Sequence, residues 1–392
     1  MALPSKGRMA EDAMSLLRDC QLQVVKPNPR QYVAHVSQMP GLEVWFQRAS
    51  DVVRKVALGD VDLGIVGTDM VEELACGHPD VVVVHEALGF GKCRLALGVP
   101  CGSRWAEVDS IDDLRAAGWT AERPLRVVSG YAALARRFFE ERGFEHVRLL
   151  SGDGALEAAP AMGTADIILD LVSSGVTLRE NNLREIRGGT VLRSQGVLVA
   201  NRRSLLERRG LLPIVRELLE RLDAHLTAEG FYNVVANMRG ASPEAVAAAL
   251  LGAGESLRGL QGPTVSPVYT KDSGSDPAYY AAQVCVPRST LYETIKAIRG
   301  AGGSGVLVLP VTYIFNEETE RWQKLIQTLG VSEDDVDRME SEVNEERAGR
   351  RATGETSSED DDANQRANAG AQGTTGEGTG GATAGNAAAA QP

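Results

Sequence analysis

Between Ala165 and Leu183 the chain reads ADIILDLVSSGVTLRENNL, an apolar strand running directly into a turn of small residues and the start of a helix. Ile167, Ile168, Leu169, Leu171 and Val172 supply the strand. Ser173, Ser174, Gly175 and Thr177 offer hydroxyls and backbone N–H groups where a helix N-terminus favours an anion, so the turn can cradle a phosphate. Asp170, just ahead of the turn, suits neither a bare phosphate site nor a core strand. A carboxylate beside a phosphate cradle points to a ligand with phosphate at one end and hydroxyls or a bound metal at the other, as in a sugar phosphate. The same residues also suit an ordinary strand-to-helix turn with a Ser/Thr cap.

The elements around this turn come in two similar sets. Gly59-Asp60-Val61-Asp62-Leu63-Gly64-Ile65-Val66-Gly67-Thr68-Asp69 and Gly163-Thr164-Ala165-Asp166-Ile167-Ile168-Leu169-Asp170-Leu171 share one plan: helix end, glycine, a small or acidic residue, Asp, short apolar strand, loop. The echo predicts two similar α/β lobes. A Ser-capped helix over 50–58 precedes the first strand, and a helix over 155–162 is expected before the second. Apolar strands at 81–84, 94–99, 125–128 and 147–150 alternate with helices at 111–116 and 132–142, which argues for mostly parallel sheets with covered faces. A strand over 191–200 is expected to return the chain to the first lobe. The cleft between the lobes then lies at the carboxyl ends of the strands, where α/β sheets hold ligands.

Residues 205–228 read as one long amphipathic helix leading to a different unit. Strands at 231–238, 265–269, 279–286 and 306–315, with helices at 242–250 and 290–298, give the order β-α-β-β-α-β of a ferredoxin-like plan. A helix over 320–329 closes on Gly330, and a marginal one is expected over 332–347. From Ala352 the chain is Gly, Ala, Thr, Asn and acid with almost no apolar bulk, so it is expected to be disordered. The domain organisation expected is therefore lobe I over 1–92 and 186–230, lobe II over 93–185, a regulatory domain over 231–330 and an acidic tail over 331–392.

The net charge of −12 comes mostly from the tail, where fourteen acids face five bases from Val331 onward and leave −3 for the body. No basic run interleaved with aromatics suggests a nucleic-acid surface, and no apolar run approaches the ~18 residues of a membrane span. The five cysteines are scattered and never in a CxxC pair, which fits a reducing soluble compartment without structural zinc. The five histidines show no HExxH spacing. Gly89-Phe90-Gly91 and Gly152-Asp153-Gly154 both lack the third glycine of a dinucleotide fingerprint. The chain opens abruptly at MALPSKGRM on a stub of strand, as expected of a sequence with residues missing upstream.

Together with the cradle, the segments Leu3-Pro4-Ser5-Lys6-Gly7-Arg8, Asn28-Pro29-Arg30-Gln31-Tyr32-Val33, Asp62-Leu63-Gly64-Ile65-Val66-Gly67 and Asp153-Gly154-Ala155-Leu156-Glu157-Ala158-Ala159-Pro160 resemble the ATP phosphoribosyltransferase family. The likeness runs from the first residue to about Gly330 and is to its long, hexameric form, as in plant and algal members; residues 231–315 resemble its histidine-binding regulatory domain. The resemblance implies an α/β fold with a two-lobed, periplasmic-binding-protein-like catalytic core and a ferredoxin-like α+β regulatory domain. It implies transfer of 5-phosphoribosyl from phosphoribosyl pyrophosphate to N1 of ATP with Mg2+ and release of pyrophosphate, the first step of histidine biosynthesis. Histidine is implied as feedback inhibitor, a dimer or hexamer as the assembly, and the plastid stroma as the compartment of a plant or algal member, otherwise the cytoplasm. No nucleic-acid or membrane partner is implied.

A pyrophosphate leaving an anomeric carbon gives an oxocarbenium-like transition state, which needs cations and metal at the leaving group and carboxylates near the ribose. The expected catalytic residues are Lys6, Arg8, Glu157 and Asp170, with magnesium on Asp170. Arg30, Arg48, Asp62, Gly64, Gly67, Asp153, Gly154, Ala155, Ser173, Ser174, Gly175 and Thr177 are expected to bind substrate. Thr264, Ser266, Gly303 and Ser304, in glycine-rich turns of the last unit, are expected to meet histidine. Two other classes compete. A two-lobed solute receptor without catalysis is disfavoured by Lys6, Arg8 and the cradle, which together suit a polyphosphate. A catalytically silent regulatory relative is disfavoured by the complete cradle with its Asp170.

Overall fold

The computed structural model describes residues 1–342 apart from Pro27, Pro29, Asp153, Thr270, residues 272–278 and Glu340. The expected disorder from Ala352 lies outside the described residues.

Lobe I opens with β1 (Ala2–Pro4), α1 (Arg8–Asp19), β2 (Val24–Val25), β3 (Val33–Val36), β4 (Glu43–Gln47), α2 (Ala49–Leu58), β5 (Leu63–Gly67), α3 (Thr68–Ala75) and β6 (Val81–His85). Lobe II follows as β7 (Cys93–Pro100), α4 (Ile111–Ala116), β8 (Leu125–Ser129), α5 (Ala132–Glu141), β9 (Val147–Ser151), β10 (Ile167–Val172), α6 (Val176–Glu180) and β11 (Leu183–Ser194). β12 (Gly196–Asn201) returns to lobe I, giving sheets ordered β2-β3-β4-β1-β5-β12-β6 and β11-β7-β10-β8-β9. β1, β4 and β5 run parallel in the first sheet and β8, β9 and β10 in the second. Each trio ends on one side of its sheet.

The echoed segments do the same work in both lobes. Gly59 ends α2 in the left-handed region at φ 77°, and Gly163 turns the chain at φ 71° before β10, a conformation that glycine adopts without Cβ strain. Two elements differ from expectation. The return strand is broken in two: β11 stays in the second sheet as far as the pairing Ser194↔Cys93, so the boundary expected at 186 falls inside a lobe II strand and the crossover sits at Gln195. Instead of a helix over 155–162, a single 3-10 turn forms at Leu156–Ala158, entered through Ala155 at φ 51°.

Gly210, at φ 74°, splits the expected long helix into α7 (Arg202–Glu207) and α8 (Leu211–Ala228). The third unit comprises β13 (Phe231–Met238), α9 (Pro243–Ala253), β14 (Thr264–Val268), β15 (Tyr279–Pro287), α10 (Leu291–Gly300) and β16 (Ser304–Pro310). Its antiparallel order β14-β15-β13-β16 is the ferredoxin-like one, with α9 and α10 over a core that includes Val234, Ala236, Tyr280 and Val284. α11 (Glu320–Leu329) does not belong to that unit, although 231–330 was expected as one domain. It buries Trp322 and packs on α8 and β6, while Arg321 bridges Glu86 and Asp223 of lobe I.

Candidate active site

Both parallel trios carry most of the residues expected to be functional at their carboxyl ends. Lys6 and Arg8 follow β1, Arg48 follows β4, and Arg30 lies in the β2–β3 loop, which the antiparallel pairing Val33↔Trp45 brings to the same end of β4. All four are exposed, and none has a side-chain partner among the described residues. Arg30 is held only through its backbone N–H, which donates to Asn28 Oδ1 at 2.9 Å. Gly7 admits the close turn between Lys6 and Arg8 at φ 79°. This end of lobe I therefore carries a basic rim suited to a polyphosphate.

In lobe II, β8 leads to Tyr131, β9 to the turn holding Gly154, Ala155 and Glu157, and β10 to Asp170 and the cradle. Asp153 lies outside the described residues. β8 pairs with β10 only as far as Ser129↔Leu169, so Asp170 stands just beyond that neighbour's end, where its carboxylate accepts from Leu171 N–H on Oδ1 at 2.8 Å. Burial raises the Asp170 pKa and the nearby Glu157 charge raises it further, against the Leu171 bond. A half-buried Asp170 beside the Glu157 charge forms a donor pair that a hard divalent cation would suit.

Ser173, Ser174, Gly175 and Thr177 make the expected turn. Gly175, at φ 72°, caps α6, and Thr177 is exposed. α6 has only 5 residues, so the turn's own hydroxyls and N–H groups matter more than a helix dipole. Arg94, which sequence reasoning missed, secures the entrance: it forks onto the Glu185 carboxylate and donates to the Ser173 carbonyl at 3.2 Å.

Two expected substrate residues sit elsewhere. Asp62 lies at the amino end of β5, opposite the rim, and pairs with Arg208 at 2.5 Å. The echo aligns it with Asp166, which is likewise held at an amino end, by Arg104 and Arg126. Gly64 faces α2: a Cβ there would meet Val52 Cγ1 at 2.6 Å and Val56 Cγ2 at 3.1 Å, so this glycine serves packing. Gly67 stays at the ligand end as N-cap of α3, where a Cβ would strike Asp69.

Asp69, at the end of the segment already singled out, is the acid that reaches across to lobe II. It is buried, accepts from Ser194 Oγ at 2.5 Å and from Tyr131 Oη of lobe II at 2.8 Å, and returns its own N–H to Ser194 Oγ. Burial, then the Asp69 charge, raises the Tyr131 pKa, with a smaller contribution from Asp170, so the phenol remains a donor among acids. Beside this junction lies a cavity of about 490 Å³ whose lining includes Thr68 from lobe I, Ser173 from the turn after β10, and Lys92, Arg94, Arg193 and Ser194 from the segments that cross between the lobes. Among the described residues no three His, Cys, Asp or Glu gather as a metal cluster.

In the third unit Thr264 and Ser266 lie on edge strand β14, while Gly303 and Ser304 lie at the start of β16, the opposite edge. Three strand spacings, ~14 Å, separate the edges, so one chain does not bring the four residues together. Gly303 packs on Ile298, where a Cβ would be 2.5 Å from Cγ2, and Ser304 Oγ donates to the Asn237 carbonyl.

Fold and site thus define a two-lobed α/β protein with a basic rim at the strand ends of one lobe, a turn of small polar residues at those of the other, and an appended ferredoxin-like domain. The HisG family, described as ATP phosphoribosyltransferase, matches residues 48–224, and its C-terminal domain matches residues 228–313. ATP phosphoribosyltransferase 2, chloroplastic, of Arabidopsis thaliana is 56% identical over 84% of this chain and 80% of its own length. ATP phosphoribosyltransferase 1, chloroplastic, of the same plant is 55% identical over 84% and 81%. A solved ATP phosphoribosyl transferase (HisG:HisZ) complex from Thermotoga maritima matches with TM-score 0.45 and 23% identity over 57% of this chain and 97% of that one. The chain belongs to the ATP phosphoribosyltransferase family, enzymes of the first step of histidine biosynthesis.

Proposed function

We propose that the cleft holds phosphoribosyl pyrophosphate on lobe II and ATP against lobe I, and that its residues divide the transfer between them. The observation that carries this is the meeting of the two sets of strand ends: Thr68 and Asp69 after β5 come against Ser173 and Tyr131 after β10 and β8. The cradle, Ser173 to Thr177, takes the 5-phosphate. Asp170 and Glu157 face the ribose, where their negative charge stabilises the cationic anomeric carbon as its bond to pyrophosphate breaks and its bond to N1 of adenine forms. These two carboxylates are the ones that would hold Mg2+, with the remaining positions left to substrate oxygens. Bound there, the ion would neutralise charge on the leaving pyrophosphate. Lys6, Arg8, Arg30 and Arg48 receive pyrophosphate and the triphosphate. Gly67, Gly154 and Ala155 let backbone approach the ligands.

Histidine acts as the feedback inhibitor through the ferredoxin-like domain. Because Thr264 and Ser266 are on one edge and Gly303 and Ser304 on the other, a homo-oligomer that sets one copy's edge against another's lets both serve one ligand. The plastid stroma is the compartment, on the strength of the chloroplastic relatives.

The test is steady-state kinetics with ATP, phosphoribosyl pyrophosphate and magnesium, following pyrophosphate release. Thr177→Val removes one hydroxyl donor and should raise KM for phosphoribosyl pyrophosphate about ten- to a hundredfold, with KM for ATP unchanged. An unchanged phosphoribosyl pyrophosphate KM, or a rise confined to ATP, would sink the assignment.

A further inference from the structure

α5 begins without a cap of its own. Tyr131 at the N-cap position makes no side-chain capping bond, and the first turn carries no acid. Sequence-local chemistry therefore leaves the first N–H groups of this ten-residue helix open, although it packs in the core of lobe II through Leu134, Ala135, Phe138 and Phe139. The missing acceptor arrives from the other lobe. Glu73 of α3 accepts from Ala133 N–H on Oε1 and from Leu134 N–H on Oε2, both at 2.9 Å, using both oxygens on the two positions that an N-cap side chain ordinarily serves. The same face of α3 adds an ion pair from Glu72 to Arg137 at 3.3 Å, and Met70 packs against the cores of both lobes.

We infer that Glu73 is a positioning residue for the transfer reaction: its carboxylate, by capping the opposite lobe's helix, sets the relation between the lobe that holds ATP and the lobe that holds phosphoribosyl pyrophosphate. This rests on the site assignment above. The cradle, Asp170 and Glu157 all lie in lobe II, so the phosphoribosyl end of the substrate is bound by one lobe alone, whereas attack by adenine N1 requires the two lobes in register. A bidentate, charged contact between helices fixes direction as well as distance, and Glu73 is one turn along α3 from Asp69, whose buried bond to Tyr131 also joins the two lobes. Loosening the contact therefore costs alignment of the reacting atoms while leaving each half-site intact, and misplacement of about 1 Å lowers turnover about a hundredfold.

The experiment compares Glu73→Ala, Glu73→Gln and the double variant Glu73→Ala/Ala133→Glu in the full chain. Glu73→Ala should lower kcat about ten- to a hundredfold while KM for phosphoribosyl pyrophosphate stays within about threefold, and Glu73→Gln, which keeps one oxygen acceptor, should fall between. Ala133→Glu supplies an acid to the first turn of α5 from its own lobe, so it should restore the melting temperature without restoring kcat. If Ala133→Glu restores kcat, or if Glu73→Gln has wild-type turnover, Glu73 merely steadies α5 and the inference is overturned. A loss of phosphoribosyl pyrophosphate affinity in step with kcat overturns it as well. Thr177→Val, measured alongside, tests the cradle separately: an unchanged KM there removes the site assignment, while the Ala133→Glu comparison still reports on α5.

Discussion

Tyr131→Phe tests the junction of the lobes most directly, because it removes one hydroxyl and leaves the ring. Asp69 is only 4% exposed, and its carboxylate takes two hydroxyl donors, Ser194 Oγ and Tyr131 Oη. A hydrogen bond to a charged acceptor is worth about 1.5–3 kcal/mol, and Asp69 would keep Ser194, so a loss of about 2 kcal/mol is expected. The ring itself stays in the lobe II core, so no cavity term adds to this. The chain has several domains, which makes a single unfolding free energy a poor measure. A double-mutant cycle of Tyr131→Phe with Asp69→Asn, read by urea denaturation, isolates the pair and should give a coupling of about 1–2 kcal/mol. Because both groups are buried, raising sodium chloride to about 0.5 M should leave that coupling unchanged, in contrast to the part-exposed Glu72–Arg137 pair. A coupling below about 0.5 kcal/mol, or one abolished by salt, would show that water reaches Asp69 and that the two lobes are not joined there.

Asp170→Asn should lower turnover severely yet raise the melting temperature at pH 7–8, because the folded state raises the Asp170 pKa by burial and by Glu157, so the native chain binds its proton more tightly than the unfolded one and loses stability as pH rises. The stabilising effect should shrink as pH falls towards the ordinary carboxylate range of about 3.9, and a gain that is flat between pH 8 and 4.5 would contradict the assignment of its cause. Gly64→Ala should cost about 1–3 kcal/mol through the clash with Val52 and Val56 while leaving KM for both substrates alone; an altered KM with wild-type stability would return Gly64 to the binding site. Asp62→Asn should leave kcat/KM within about twofold, since Asp62 lies at the far end of β5 with Arg208, and a loss of tenfold or more in steady-state kinetics would contradict that placement.

The strand-to-helix turn after β10, the echo and the ferredoxin-like order were legible in the sequence because each depends on neighbours along the chain: alternation of apolar residues, a glycine where φ must be positive, a capping oxygen three residues from the N–H that donates to it. Gly59, Gly163, Ser242 and Gly330 stand at the helix and turn positions that their types require. Local pattern could also have separated Asp62 from the site, since the echo pairs it with Asp166 rather than with Asp170. What the sequence could not distinguish was an acid that meets ligand from one that meets protein. Asp62, Asp69, Glu73 and Asp170 are alike as side chains, and their roles follow from strand direction and from the lobe facing them. The uncapped start of α5 was visible in its residues, but the carboxylate that caps it comes from 60 positions away. The two edges of the last sheet are likewise adjacent to nothing in the sequence that tells them apart; only the strand order β14-β15-β13-β16 places Thr264 and Ser304 on opposite sides. α11 looked like the end of the regulatory unit because it follows it in the chain, and it docks on lobe I because Trp322 and Arg321 find their apolar and acidic partners there. Local bonding is written in residue spacing, whereas long-range pairing depends on which surfaces the folded chain brings into contact.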